Sequence, residues 1–127
     1  MDFLTAEQAE RIRRMIVAVV GAGALGQMAA HQLVRGGFEK LILIDKDVLE
    51  YSNFNRQLYA LDSTVNQSKA EVLKAGLLDI RPQADIKICK TFLDECNGKH
   101  LLSGADLLMD CVDAVSYTHL TLPTIRL

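Results

Sequence analysis

The chain has little net charge, few cysteines and no long hydrophobic run, and each shortage removes a class of function. A formal charge of −2 over 127 residues leaves no global excess of either sign. Nothing therefore suggests electrostatic attachment to nucleic acid or to a membrane surface, and any positive charge that matters is local. The longest apolar runs fall far short of a bilayer crossing, so no membrane partner is expected. The N-terminal stretch "MDFLTAEQAERIRR" is polar and helical in pattern, unlike a signal peptide. Three cysteines, Cys89, Cys96 and Cys111, lack close metal-type spacing. Their odd number in an acidic chain reads as reduced thiols in a cytoplasmic protein, most simply as small buried hydrophobes. No internal repeat or linker interrupts the chain, and its length suits one domain around one core.

What is present is an alternation of buried strands and helices. Thr5 followed by Gln8 can form a capping box that opens a helix to about Arg14. Residues 15–20, "MIVAVV", are a continuous apolar run suited to a strand covered on both faces. Leu25, Ala29 and Leu33 recur at four-residue spacing, so a helix runs to about Arg35, where Gly36 and Gly37 end it. "KLILID", 40–45, is a second buried strand. Ala70, Leu73, Leu77 and Ile80 mark a helical face from about Ser68, weakened by Gly76 and closed by Pro82. "ADIKIC", 84–89, alternates as a third strand, 95–102 is at best a short helix, and "DLLMDC", 106–111, is a fourth strand. This order implies an α/β chain with a Rossmann-like, doubly wound, mainly parallel sheet. His31 and His100 read as surface residues, and Arg11, Arg13 and Arg14 as a solvated helix face.

In such sheets ligands sit beyond the carboxyl ends of the strands, where strand order reverses. Gly21, Gly23 and Gly26 form G-x-G-x-x-G between a strand and a helix. That pattern gives a tight turn, close backbone approach to a phosphate, and close helix–strand packing. Asp45, ending the second strand, can accept ribose hydroxyl protons from either NAD or ATP. Asp47 is a helper or a solvated loop acid. The cluster Asn53, Arg56, Gln57 and then Lys69 discriminates between the two. A hydride-transfer site needs no pair of cations on the phosphate side, whereas nucleotidyl transfer builds negative charge there that fixed Arg and Lys donors stabilise. Lys69 near a helix start is poorly explained as dipole compensation, since cations belong at the other end. Asp113, just past the fourth strand, is the candidate Mg²⁺ ligand; Asp110, within that strand, is a weaker one.

In this order and spacing, "VVGAGALG", "LILIDKDVLEYSNFNRQ", "SKAEV" and "DCVD" resemble the ubiquitin-activating-enzyme-like family, the ThiF/MoeB/HesA-type adenylyltransferases. The resemblance implies that Asp45 binds ribose, that Asn53, Arg56, Gln57 and Lys69 bind the ATP phosphates, and that Asp113 holds Mg²⁺. It implies adenylation of the C-terminal carboxylate of a ubiquitin-like or sulfur-carrier protein, by a homodimer, with no protein nucleophile required for that step. A branch of the family resembling the tRNA threonylcarbamoyladenosine dehydratases, which "ERIRRMIVAVVG" and "NRQLYALDSTV" suit, activates a carboxylate on tRNA instead. A plain NAD-binding Rossmann domain is the alternative from another class. "NQSK" and "DIRP" depart from the family's commoner Gly-Pro and "INP" segments without removing a ligand.

Family members continue for about as much chain again, including, in some, a zinc-binding cysteine pair. None of the three cysteines here takes that role, so zinc is expected only in such a continuation. The final stretch "VSYTHLTLPT" is what one frame of a transposase-type sequencing-library adapter encodes. The expectation is therefore a nucleotide-binding part over 1–113, with the sheet truncated after its fourth strand, and a non-native tail over 114–127. On that expectation the 127-residue chain gives no ATP–pyrophosphate exchange by itself; exchange above that of a Lys69→Ala control would overturn it.

Overall fold

The computed structural model describes residues 4–112 and 123–126. Helix α1 (Ala6–Arg14) opens as its sequence predicts: Thr5 accepts from the Gln8 N–H at 3.0 Å and the Gln8 side chain accepts from the Thr5 N–H at 2.9 Å. Four strands alternating with three helices follow: β1 (Ile16–Val20), α2 (Ala24–Arg35), β2 (Lys40–Ile44), α3 (Lys69–Ile80), β3 (Asp85–Cys89), the short α4 (Gly98–Leu101) and β4 (Leu107–Asp110). The sheet has the order β3-β2-β1-β4-β5 and every pairing is parallel. Strand β1 lies between β2 and β4, with Val17 opposite both Leu41 and Leu107. Chain order reverses at β1, so the crevice expected of a doubly wound sheet opens at its carboxyl end.

The continuous apolar runs are explained by two covered faces. Val17, Val19, Leu41 and Leu43 point to one side and pack with α2 and α3 through Ala30, Leu33, Leu73 and Leu77. Ala18, Val20, Ile42, Ile44 and Leu108 point to the other, under Leu93, Leu102 and Ala105. Alternate residues of each strand serve opposite layers, as the pleat requires. The end of α2 is a Schellman arrangement: Phe38 N–H reaches the Leu33 carbonyl at 3.0 Å, Gly37 N–H reaches Val34 at 3.2 Å, and Gly37 takes φ +110°.

One element departs from expectation. Thr124–Arg126 forms β5, a fifth parallel strand on β4, with Leu108 N–H donating to the Pro123 carbonyl at 2.8 Å. The outer edge of β4 presents unsatisfied backbone groups, and an extended segment satisfies them through its own backbone. Such pairing needs no sequence signal, which is why hydrophobic periodicity does not foretell it.

Gly76, which weakens α3 by propensity, has a tertiary reason. A Cβ there would overlap the hydroxyl and ring of Tyr59. Tyr59 is held in place: its hydroxyl shares a hydrogen bond with His31 and its carbonyl accepts from the Thr64 hydroxyl. It cannot swing away cheaply. Alanine in an exposed helix would gain about 1 kcal/mol over glycine, but overpacking costs about 1–3 kcal/mol. Gly76→Ala is therefore expected to lower stability in urea unfolding, opposite in sign to helix propensity.

Candidate functional site

The carboxyl ends of β1 and β2 bring the glycine turn and Asp45 together. Gly21 continues the β1–β2 ladder by donating to the Ile44 carbonyl at 2.9 Å and then turns at φ +97°, where a side chain would be strained and would meet the Cys111 carbonyl at 2.9 Å. A Cβ on Gly26 would overlap the Gly21 carbonyl, so the third glycine lets α2 start against the turn. Asp45 Oδ2 accepts the Ala22 N–H at 2.7 Å and Oδ1 accepts the Asp47 N–H at 2.7 Å. These short, charge-assisted bonds clamp the turn to the β2 rim. Each carboxylate oxygen keeps acceptor capacity for another partner.

Residues 46–68 cross above this rim and deliver the cations. Val48 and Ser68 form an isolated antiparallel bridge, with Lys69 N–H on the Asp47 carbonyl at 3.0 Å and Leu49 N–H on the Gln67 carbonyl at 2.9 Å. The bridge sets the start of α3 beside the Asp45–Asp47 loop, and Ser68 Oγ caps the helix at the Glu71 N–H. An open cleft of about 440 Å³ results, lined by Gly21, Gly23, Asp45, Asp47, Arg56, Gln57 and Lys69 among others. Among the described residues the Arg56 guanidinium bonds neutral oxygens, the Ser52 carbonyl at 3.0 Å and Asn55 Oδ1 at 2.9 Å. The Lys69 ammonium is in no salt bridge among the described residues. Two cations without a salt bridge to a carboxylate among the described residues, facing a glycine turn, suit an anionic ligand.

Beside the cleft lies a smaller slot of about 70 Å³ between Val20, Ile44, Leu93, Val112 and the Phe92 ring. The Lys46 ammonium sits 5.6 Å from the centre of that ring. An apolar slot next to a phosphate-type cleft can take a flat base. Phe92 escapes the sequence reading, although an aromatic residue just past a third strand is a signal of the same kind as Asp45 past the second.

The expected site residues therefore do not all share one wall. Gly21, Gly23, Asp45, Arg56, Gln57 and Lys69 meet in the cleft, with Gly26 beneath the turn. Asn53 is buried and is not among the residues that line the cleft, and its Oδ1 accepts the Glu50 N–H at 2.8 Å, capping a 3₁₀ turn at Tyr51–Asn53. Asp113 lies outside the described residues. Asp110 is buried within β4, its Oδ1 accepting the Val112 N–H at 3.3 Å. His31 is not a bare surface residue: burial and the nearby Arg35 lower its pKa, and it leans on Tyr59.

The cysteine expectation needs correction. Cys111 is buried, but Cys89 is only half-buried and Cys96 is exposed, because Cys96 belongs to a turn whose N–H groups bond the Asp94 carboxylate. Burial, with Asp110 beside it, pushes the Cys111 thiol up to about 11. A raised folded-state pKa means that the neutral thiol stabilises the fold below about pH 9 and that this contribution fades as pH climbs towards about 11. Iodoacetamide at pH 8 is expected to modify Cys96 in the native chain and spare Cys111, as read by peptide mass spectrometry.

Comparison with known proteins agrees with this geometry. The ThiF family model matches residues 1–122. A tRNA threonylcarbamoyladenosine dehydratase of Bacillus subtilis (strain 168) is 38% identical over 112 residues, covering 87% of this chain and 44% of that protein. The adenylyltransferase and sulfurtransferase MOCS3 of Drosophila yakuba is 36% identical over 110 residues, covering 87% of this chain and 24% of its own. Among solved structures, the E. coli tRNA N6-threonylcarbamoyladenosine dehydratase TcdA in complex with AMP superposes with a TM-score of 0.89. It is 27% identical, with 95% of this chain and 53% of that one covered. The chain thus spans about half or less of the length of these relatives.

Proposed function

We propose, from the premise that this chain belongs to the ThiF family, that it forms the nucleotide-binding part of an ATP- and Mg²⁺-dependent adenylyltransferase. The observation that carries the reading is the convergence of Arg56, Gln57 and Lys69 on the glycine turn beside Asp45. The base enters the slot at Phe92, the ribose meets Asp45, and the phosphates lie over Gly23 between Arg56 and Lys69. An incoming carboxylate oxygen attacks the α-phosphorus, the acyl-adenylate forms, and pyrophosphate leaves. Negative charge grows on the phosphoryl oxygens in that step, and fixed guanidinium and ammonium donors oppose it without reorganising. Positioning and charge suffice, so the un-ionised Cys111 beside the turn is not a nucleophile.

The donor set on the cleft fits Mg²⁺. The described carboxylates on the cleft are Asp45 and Asp47. That suits a hard cation that keeps most of its waters and takes one or two carboxylates with phosphate oxygens. Asp113 is proposed as the carboxylate that completes the site. When bound, Mg²⁺ would neutralise charge on the triphosphate.

The substrate is proposed to be the C-terminal carboxylate of a ubiquitin-like or sulfur-carrier protein, acted on by a cytoplasmic homodimer. The similarity to MOCS3 supports this reading. A second reading, a carboxylate on tRNA, draws support from the similarity to the Bacillus subtilis dehydratase. The NAD-binding alternative is not favoured, since the paired cations serve phosphate transfer and the TcdA neighbour carries AMP. No helix among the described residues is long and apolar enough to cross a membrane.

ATP binding separates these ideas. Removing one charged donor to a phosphate forfeits about 1.5–3 kcal/mol. Arg56→Ala and Lys69→Ala are each expected to weaken ATP binding by calorimetry about tenfold or more, with NAD binding absent in every variant. Tight NAD binding that ignores both substitutions would defeat the proposal. In a longer protein carrying this domain, pyrophosphate exchange stimulated by carrier protein rather than by tRNA would select the first substrate.

A further inference from the structure

Gln27 is a buried polar residue, 3% exposed, on the first turns of α2, and the phosphate-site reading above gives it no role. Its side chain meets two backbone groups of fixed hydrogen-bonding character and the side-chain amide of Gln57. Nε2 donates to the Ala22 carbonyl at 3.1 Å and to Gln57 Oε1 at 3.4 Å, and Oε1 accepts the Tyr59 N–H at 3.4 Å. A carbonyl can only accept and a backbone N–H can only donate, so the Gln27 amide has one orientation that satisfies the Ala22 and Tyr59 groups together. The NH₂ group must face Ala22 and the oxygen must face Tyr59.

That orientation passes to the next amide. With the Gln27 NH₂ aimed at it, Gln57 presents its own oxygen inward, and its Nε2 is left on the side of the glycine turn. A Cβ built on Gly23 would lie 3.3 Å from Gln57 Nε2, and both residues line the cleft. Gln57 is itself 6% exposed, so it has little freedom to recruit water and turn over. From this chain of donors and acceptors we infer that Gln27 is a positioning residue. It selects the amide orientation of Gln57 so that an N–H donor, not a carbonyl oxygen, meets the phosphate lying over Gly23.

The inference rests on the proposed ATP site and makes a narrower statement than it. Gln27→Met keeps length and apolar volume but removes the donor and the acceptor. Gln57 is then free to turn its oxygen towards the phosphate, where it repels instead of binding. ATP affinity, read by calorimetry on the 127-residue chain, is expected to fall about fivefold to tenfold, while adenosine affinity stays within about twofold, since the slot and Asp45 are untouched. In the Gln57→Ala background the same substitution is expected to cost no further ATP affinity. Equal losses for ATP and adenosine, or a full additional loss in that background, would overturn the assignment. If Gln27→Met does not fold, the unsubstituted chain still decides. Its Gln57 side-chain NH₂ resonances are expected to shift with ATP and not with adenosine, and resonances indifferent to ATP would refute the inference. A chain that binds no ATP at all would remove both this inference and the site reading. ATP binding weakened by Lys69→Ala but indifferent to Gln27→Met would remove this inference alone.

Discussion

The two backbone N–H groups bonded to the Asp45 carboxylate are the constraint on which the site depends. One comes from Ala22, within the glycine turn, and the other from Asp47, at the start of the crossing loop. The turn is left-handed at Gly21, and its residues Gly21, Ala22 and Gly23 carry no polar side chain. Without Asp45 it would rest on the Gly21 N–H at the Ile44 carbonyl and on Gln27 at the Ala22 carbonyl. The anionic acceptor at the tip of β2 ties it to the sheet and at the same moment sets the direction in which the chain leaves β2. A charge-assisted bond is roughly twice as strong as a neutral one, and here two of them share one carboxylate. The loop that brings Arg56 and Lys69 starts from that point.

A single β-bridge then carries the loop to its destination. Val48 pairs with Ser68, so the residue after the bridge, Lys69, opens α3 directly across from Asp47. The intervening residues fold back on themselves through the Asn53 cap, the Gln57–Gln27 contact and the Thr64 hydroxyl on Tyr59. Local polar bonds therefore do the work that hydrophobic packing does in the rest of the molecule. Only Leu49, Ala60 and Val72, with Tyr59 against them, form a small apolar anchor beneath this loop. A loop built this way keeps its ligands on a surface that water and nucleotide can reach.

The sheet itself is unevenly protected. One face is covered by two twelve-residue helices, α2 and α3, whereas the other has α4, which spans four residues, with Leu93, Leu102 and Ala105. The edge beyond β4 is taken by three residues of β5. The side of the sheet that supports the cleft is thus the firmly packed one, since α2 and α3 both start at the cleft. Rigid elements beneath a polar loop give the cleft its fixed geometry.

Much of this was legible in the sequence. Apolar runs of strand length, a four-residue helical repeat and paired glycines after Arg35 determine the elements, because each reports a constraint that acts within a few residues. The glycine turn and Asp45 were readable for the same reason, since position after a strand places them on one rim. Arg56, Gln57 and Lys69 were readable as phosphate donors from their own chemistry, and the family resemblance added the substrate class. What lay outside the sequence was the choice of partner. That Tyr59 occupies the space Gly76 vacates and that Gln27 faces Gln57 across thirty residues were decided only when distant segments packed. Periodicity determines which side of an element is buried. It carries no information about which donor a buried acceptor will meet, and that pairing is what the tertiary structure settled.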